Sequence, residues 1–188
     1  MAEQTAISAS RDQEQREFLT SYWAALMIGD MGAFAPLIAE HCVVHYPGNH
    51  FLAGDHIGRG KIVDLYSNLY RIGIEQGTFV GELHDDMASD DHAAALIKYR
   101  IVLRPRLEIE GEAVGVFHIE NSQMVEYWLL ERDQKMINDI FAMFGKVSLK
   151  PNPTQTDQAI GALTHPFALA RTLRRVLRAR RGTTTKML

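Results

Sequence analysis

Cys42 is the only cysteine of the chain, so no internal disulfide can form and no cysteine-rich zinc site can be built. Long apolar runs are missing as well. Nowhere do about eighteen apolar residues follow one another, so no membrane-spanning helix is expected. The opening Met1-Ala-Glu-Gln-Thr-Ala lacks the basic-then-apolar order of a secretion signal, which makes the cytoplasm the expected location. Of the eight histidines, His41 and His45 alone stand four apart, but they straddle a strand and not a helical turn, and no His-Glu-x-x-His occurs, so no metal is expected. Gly54, Gly58 and Gly60 have no Walker lysine spacing and suit a tight turn. No serine sits in a Gly-x-Ser-x-Gly elbow, which leaves a hydrolase triad without support.

Acid is missing from one region altogether. From Gln158 onward there is no carboxylate, while Arg171, Arg174, Arg175, Arg178, Arg180, Arg181 and Lys186 supply seven positive charges. The whole chain carries −3, so residues 1–157 are left with −10. An acidic body of that kind argues against nucleic-acid binding. With 188 residues, 46% of them hydrophobic, the chain can bury one good core and carry an appendage.

The apolar pattern divides the chain into helices followed by strands. Ser10 and Gln13 fit a capping box, and Phe18, Leu19, Tyr22, Trp23 and Leu26 follow at helical spacing until Gly29-Asp30. A second helix over about Met31 to Ala39 leads into a short strand, Cys42–Tyr46, which the Pro47-Gly48 turn ends. Ile62, Leu65, Tyr66 and Leu69 mark a third helix that stops near Gly73. Four strands are expected at about Thr78–Met87, Ala93–Arg104, Arg106–Glu120 and Gln123–Glu131, with turns at Ser89-Asp90-Asp91, Pro105 and Asn121-Ser122. A brief helix from Asp133 to Phe144 closes the domain. The expected class is α+β, a curved antiparallel sheet with helices on one face. Residues 1–10 read as a flexible start, 11–148 as the domain, 149–163 as a linker and 164–188 as a basic helical tail.

Side chains able to move protons gather near the first strand end. His45 titrates near neutral pH without special burial, which suits a general base. Tyr46 suits a general acid or hydrogen-bond donor. Neighbours on a strand point to opposite faces, so only one of the two should face a pocket. His84 is a further acid/base candidate, or a surface histidine paired with Asp85 or Asp86. Tyr99, Phe117 and Tyr127, with Ile97, Ile101 and Leu129, fall on the inward face and suit an aromatic-lined ligand pocket; the alternative is a filled core. His118, Glu126 and Trp128 share the outer face, where a contact between subunits explains them best.

The stretches Tyr22-Trp-Ala-Ala-Leu-Met-Ile-Gly-Asp30, Val44-His-Tyr-Pro-Gly48, Ala53-Gly-Asp-His-Ile-Gly58 and Gln123-Met-Val-Glu-Tyr-Trp128 resemble the nuclear transport factor 2-like superfamily. Within it, the chain is most similar to the SnoaL-like polyketide cyclase and ketosteroid isomerase branch, over residues 11–147. The resemblance implies a cone-shaped sheet wrapped around N-terminal helices, an apolar pocket used without cofactors, and a homodimer through the outer sheet face. It also implies that Tyr22 occupies the place of the isomerases' helix tyrosine, which donates to a developing enolate oxygen. The isomerases' base falls at Tyr46 and their second acid at Gly115, so two parts of that machinery are replaced. The expected activity is a cyclase or isomerase acting on a mostly apolar, oxygenated molecule of polyketide, terpenoid or steroid type. The alternatives are a noncatalytic binding or assembly module and a dehydratase.

In the tail, Leu169, Leu173, Val176 and Leu177 form a helical stripe among the arginines, with Pro166 in the first turn. The first expectation is a helix docked by its leucines on the acidic body or on a second subunit. An acidic partner protein or an anionic membrane surface for residues 164–181 is the second.

Overall fold

The first 28 residues contain neither proline nor glycine, so nothing interrupts a helix once it has formed. The computed structural model, which describes residues 2–104, 107–150 and 153–185, accordingly has α1 over Ala2–Ile28. The Ser10 cap is thereby corrected: Ser10 lies inside the helix, and Gln13 bonds the Glu17 carboxylate one turn on, at 2.8 Å. Residues 2–10 are helical in backbone. Phe18, Leu19, Tyr22 and Ala25 form the buried stripe of α1. Gly29, at φ +72°, ends the helix, and the Asp30 carboxylate accepts from Ala33 N to start α2, Met31–Phe34. A 3-10 turn, Ala35–Leu37, passes straight into β1, Ile38–Tyr46, so the strand is longer and the second helix shorter than the sequence suggests.

The glycine-rich loop contains a strand of its own, β2, Gly54–Ile57, paired antiparallel with β1. Then come α3, Arg59–Leu69, and a wider helical turn, Tyr70–Ile74, which carries the helix past its expected stop at Gly73. The remaining strands are β3, Phe79–Ala88; β4, His92–Arg104; β5, Leu107–Glu120; and β6, Gln123–Glu131. The turn expected at Pro105-Arg106 lies outside the described residues. All six strands form one curved sheet in the order β2-β1-β6-β5-β4-β3. Its one parallel contact is β1 with β6, since β1 arrives from the helical layer and not through a hairpin.

Strand alternation sends Ala93, Ala95, Tyr99, Ala113, Phe117 and Tyr127 inward, where they are buried. Ala93, Ala95, Phe117 and Tyr127, together with α1 and α3, build a main core that includes Phe34, Ile38, Ile62 and Leu65. A smaller core joins Tyr99, Ile109 and Ala113 to Met136 and Ile137 of α4, Gln134–Ile140, and to Val176. Fully burying a side chain of these sizes contributes roughly 1.5–3 kcal/mol, so the large, deeply buried aromatic and aliphatic groups of the main core dominate the stability. Two glycines of β5 make room for the inward tyrosines. A β-carbon at Gly111 would collide with the ring of Tyr99, its partner across the strand pair, and one at Gly115 would sit 2.9 Å from the Tyr127 ring.

Asp133 caps α4 by accepting from Met136 N. A second wide turn, Phe141–Gly145, and a short α5, Lys146–Ser148, follow. Pro151 and Asn152 of the expected linker lie outside the described residues. Its second half is not linker but α6, Gln155–Leu163, opened by a reciprocal cap between Thr154 and Asp157. The tail forms α7, Pro166–Thr185.

Candidate active site

Where the two cores meet, the sheet and helices leave a cavity of about 210 Å³. Its walls are mostly apolar, with Leu26, Ile97, Ile101, Leu129, Ile140 and Phe141 among the side chains facing it. Five phenols (Tyr22, Tyr46, Tyr66, Tyr99 and Tyr127) and one carboxylate, Glu131, also line it.

Glu131 is the last residue of β6, on the same inward parity as Tyr127 and Leu129. The Tyr99 hydroxyl donates to its Oε2 at 2.6 Å. Burial in these apolar surroundings raises the Glu131 pKa to about 7, with a smaller push from nearby Asp133; the Tyr99 hydrogen bond works the other way, favouring the charged form. A carboxyl group poised at neutrality can both take and return a proton. Tyr99 is itself held above the ordinary phenol value, first by burial and then by the negative charge of Glu131. It therefore stays protonated and remains a donor.

Tyr22 and Tyr66 approach from α1 and α3, each only 4% exposed, with ring centroids 5.9 Å apart in an edge-on arrangement. Neither hydroxyl has a hydrogen-bond partner in normal geometry. Burial pushes both phenols well above 10; the approach of the two hydroxyls to each other lowers Tyr22 and raises Tyr66, but does not amount to a hydrogen bond of normal geometry. Buried hydroxyls without partners are costly. An oxygen atom of a bound molecule would satisfy them.

At the end of β1 the alternation resolves in favour of Tyr46, which lines the cavity with its pKa raised by burial. His45 points to the other face, where its ring stacks on Trp128 with centroids 5.5 Å apart. Its Nδ1 lies 2.8 Å from Asp55 and its Nε2 3.0 Å from Glu126. These carboxylates, Glu126 first, raise the His45 pKa. His84 is also outside the cavity, exposed on β3, where its Nε2 accepts from the Lys98 ammonium at 2.9 Å; its expected partner, Asp85 or Asp86, is replaced by that lysine. The structure therefore does not bring the two histidines to the tyrosines. Tyr99, Tyr127, Ile97, Ile101 and Leu129 do line the cavity, whereas Phe117 packs behind it between Tyr22 and Tyr127. Among the described residues no group of three side chains could hold a metal ion.

Sequence reasoning missed Glu131 and Tyr66. Each carried a signal. Glu131 is an acid on the inward parity of β6, and Tyr66 lies on the apolar face of α3 beside Ile62 and Leu65.

A bent sheet closed by helices around a cavity with phenols and one partly buried carboxyl group is the cone architecture of nuclear transport factor 2-like proteins. The chain belongs to the SnoaL-like domain family, whose model matches residues 19–127. Similar solved structures include Bal32a from a soil-derived mobile gene cassette, at 23% identity and TM-score 0.61, covering 70% of this chain and 98% of that one. A LEH-like epoxide hydrolase of M. tuberculosis matches at 15% identity and TM-score 0.50, over 85% of this chain and 96% of that one. A putative isomerase from Rhodopseudomonas palustris matches at 12% identity and TM-score 0.52, over 63% and 96%. At these identities the likeness is one of fold. No curated protein matches the chain.

Proposed function

We propose that the protein is a cofactor-independent cyclase or isomerase that enolises a compact, mostly apolar carbonyl compound of polyketide, terpenoid or steroid type. The observation that carries this reading is Glu131, a carboxyl group held near pKa 7 in an apolar cavity by burial and oriented by Tyr99. The Glu131 carboxylate takes the proton from the carbon next to the carbonyl. The C–H electrons move into the new C=C bond and the carbonyl pair onto oxygen. Tyr22 and Tyr66, whose hydroxyls make no hydrogen bond of normal geometry, donate to that enolate oxygen. Returning the proton at another carbon completes an isomerisation. If the enolate carbon instead attacks a second carbonyl, Glu131 protonates the new alkoxide and a ring is closed. Neither route needs an outside oxidant or metal. Tyr46 and Tyr127 shape the pocket, and His45 and His84 take no part.

The cavity, about 210 Å³, is smaller than the roughly 300–1,000 Å³ usual for drug-sized ligands, so a compact substrate is favoured. β-Tetralone, a bicyclic ketone, is a suitable probe. In deuterium oxide the protein is expected to exchange its α-hydrogens, followed by NMR, and Glu131→Gln to lose that exchange while still binding. Binding without exchange in the unmodified protein would support the noncatalytic module instead.

A further inference from the structure

We propose that the outer face of the hairpin formed by α6 and α7 docks on an anionic lipid bilayer. Two sides of α7 separate cleanly. Toward the body lie Ala168, Thr172 and Val176, all buried, with Arg171 and Arg175. Arg171 grips Asp139 of α4 through two bonds, at 2.8 and 2.5 Å, and Arg175 reaches Asp133 and Asp139. The expectation that the leucine stripe docks on the body of the same chain is thus corrected. Val176 packs inward, but Leu173 is 43% and Leu177 55% exposed. The body is held largely by arginines.

At 100° per residue, Phe167, Ala170, Leu173, Arg174, Leu177 and Arg178 share the outward side, and Phe167 is 79% exposed. Ile160 and Leu163 of α6 extend this apolar surface, at 55% and 69%. Arg174 and Arg178 are exposed and make no ion pair among the described residues. No acid occurs in the sequence beyond Asp157. Large apolar side chains beside cations, with no anion among them, form a ridge that enters a headgroup layer without needing a matching groove. The body's charge of −10 is repelled by the same surface, so the charge distribution admits one orientation, tail toward lipid. No described helix is long and apolar enough to cross a membrane, which makes this contact peripheral. It also lies beside the cavity: Ile137 and Ile140 of α4, Ser148 of α5 and Gln158 of α6 all line it. An apolar ligand taken from a bilayer would have a short path.

Co-sedimentation of the full chain with phosphatidylcholine vesicles, with and without phosphatidylglycerol, tests the proposal. The expected result is binding only to vesicles containing phosphatidylglycerol, weakening as salt rises. Arg174→Gln and Arg178→Gln should each weaken it about fivefold. Phe167→Ser with Leu177→Ser should weaken it roughly tenfold or more. These positions are exposed, and unchanged circular dichroism and melting confirm each variant is folded; should the serine pair unfold, Leu177→Gln alone gives the same reading. Equal binding to vesicles without anionic lipid would overturn the proposal, as would binding that ignores both sets of changes. So would absence of vesicle binding together with concentration-dependent dimers that the serine variant abolishes, since the ridge would then be a contact between two copies.

Discussion

Glu131 inside the cone and His45 outside it are both raised in pKa, but for opposite reasons. Burial among apolar side chains raises Glu131, and only one phenol offsets it. His45 has little burial to overcome and is raised by two carboxylates that welcome its charge. The inner group is held in a state it resists when charged. The outer group is already satisfied. A proton carrier must have something to gain from its substrate, and of the two only Glu131 faces a cavity. A shifted pKa identifies a functional site only together with its cause and its surroundings.

The sharpest way to break this contrast is substitution. Glu131→Gln should slow α-hydrogen exchange of β-tetralone by about 10²–10⁴-fold, the usual contribution of a positioned acid or base. His45→Gln should leave the rate within about twofold, measured in the same assay. Equal losses would erase the distinction between the faces.

Stability against pH separates the same pair by another route. The Glu131 pKa is near 7 in the folded chain against an ordinary 4.5, so the folded state holds the proton more tightly. The stability linked to this group is whole below about 4.5 and is lost as pH rises through about 7. At 1.36 kcal/mol per unit the loss is at most about 3 kcal/mol. For His45 the sign is the same: its contribution is present below 6.5 and fades as pH rises through its higher folded value. Its partly exposed position makes the effect smaller. Urea unfolding between pH 4 and 9 should therefore lose most of its slope in Glu131→Gln and little in His45→Gln.

The antiparallel strands and the helical layer could be read from the sequence because alternation and helical spacing are local, whereas the cone was implied by the family resemblance. So could the inward residues of β4, since Ile97, Tyr99 and Ile101 keep parity through a regular strand. The orientation at His45-Tyr46 could not, because alternation states that one of two neighbours faces in and only the packed sheet decides which. β2 was hidden because Gly54, Asp55 and His56 have turn chemistry and become a strand only by pairing with β1. α6 was hidden behind the prolines at 151 and 153, although Thr154 and Asp157 already spelled a capping box. Glu131 was overlooked for a physical reason as well. An acid on an inward face breaks the pattern that defines the strand, and such a break is how a site announces itself.

Gly111 links the fold to the site. The Tyr99 ring occupies the space a β-carbon would need, so Gly111→Ala must shift the phenol. Overpacking of this kind costs about 1–3 kcal/mol, read by denaturant unfolding. Tyr99 also lowers the Glu131 pKa through its hydrogen bond. Displacing it should move the pH profile of exchange to more alkaline values, whereas a purely structural role for Gly111 leaves that profile in place.

The smallest expected effect concerns the tail, whose attachment is unlike the core beneath it. Asp139 is 4% exposed and kept charged chiefly by Arg171, which lowers its pKa. Asp139→Asn keeps the shape but removes the charge, leaving Arg171 and Arg175 with weaker acceptors. Because these arginines are partly exposed, water takes over much of the lost interaction. The cost should be about 1–2 kcal/mol, toward the lower part of the range for broken ion pairs. It should fall mainly on α7: limited proteolysis is expected to cleave between α6 and α7 faster, while the melting of the sheet changes little. If the variant instead unfolds as one unit at much lower temperature, the tail is an integral wall of the cone and no longer an appendage held on by charge.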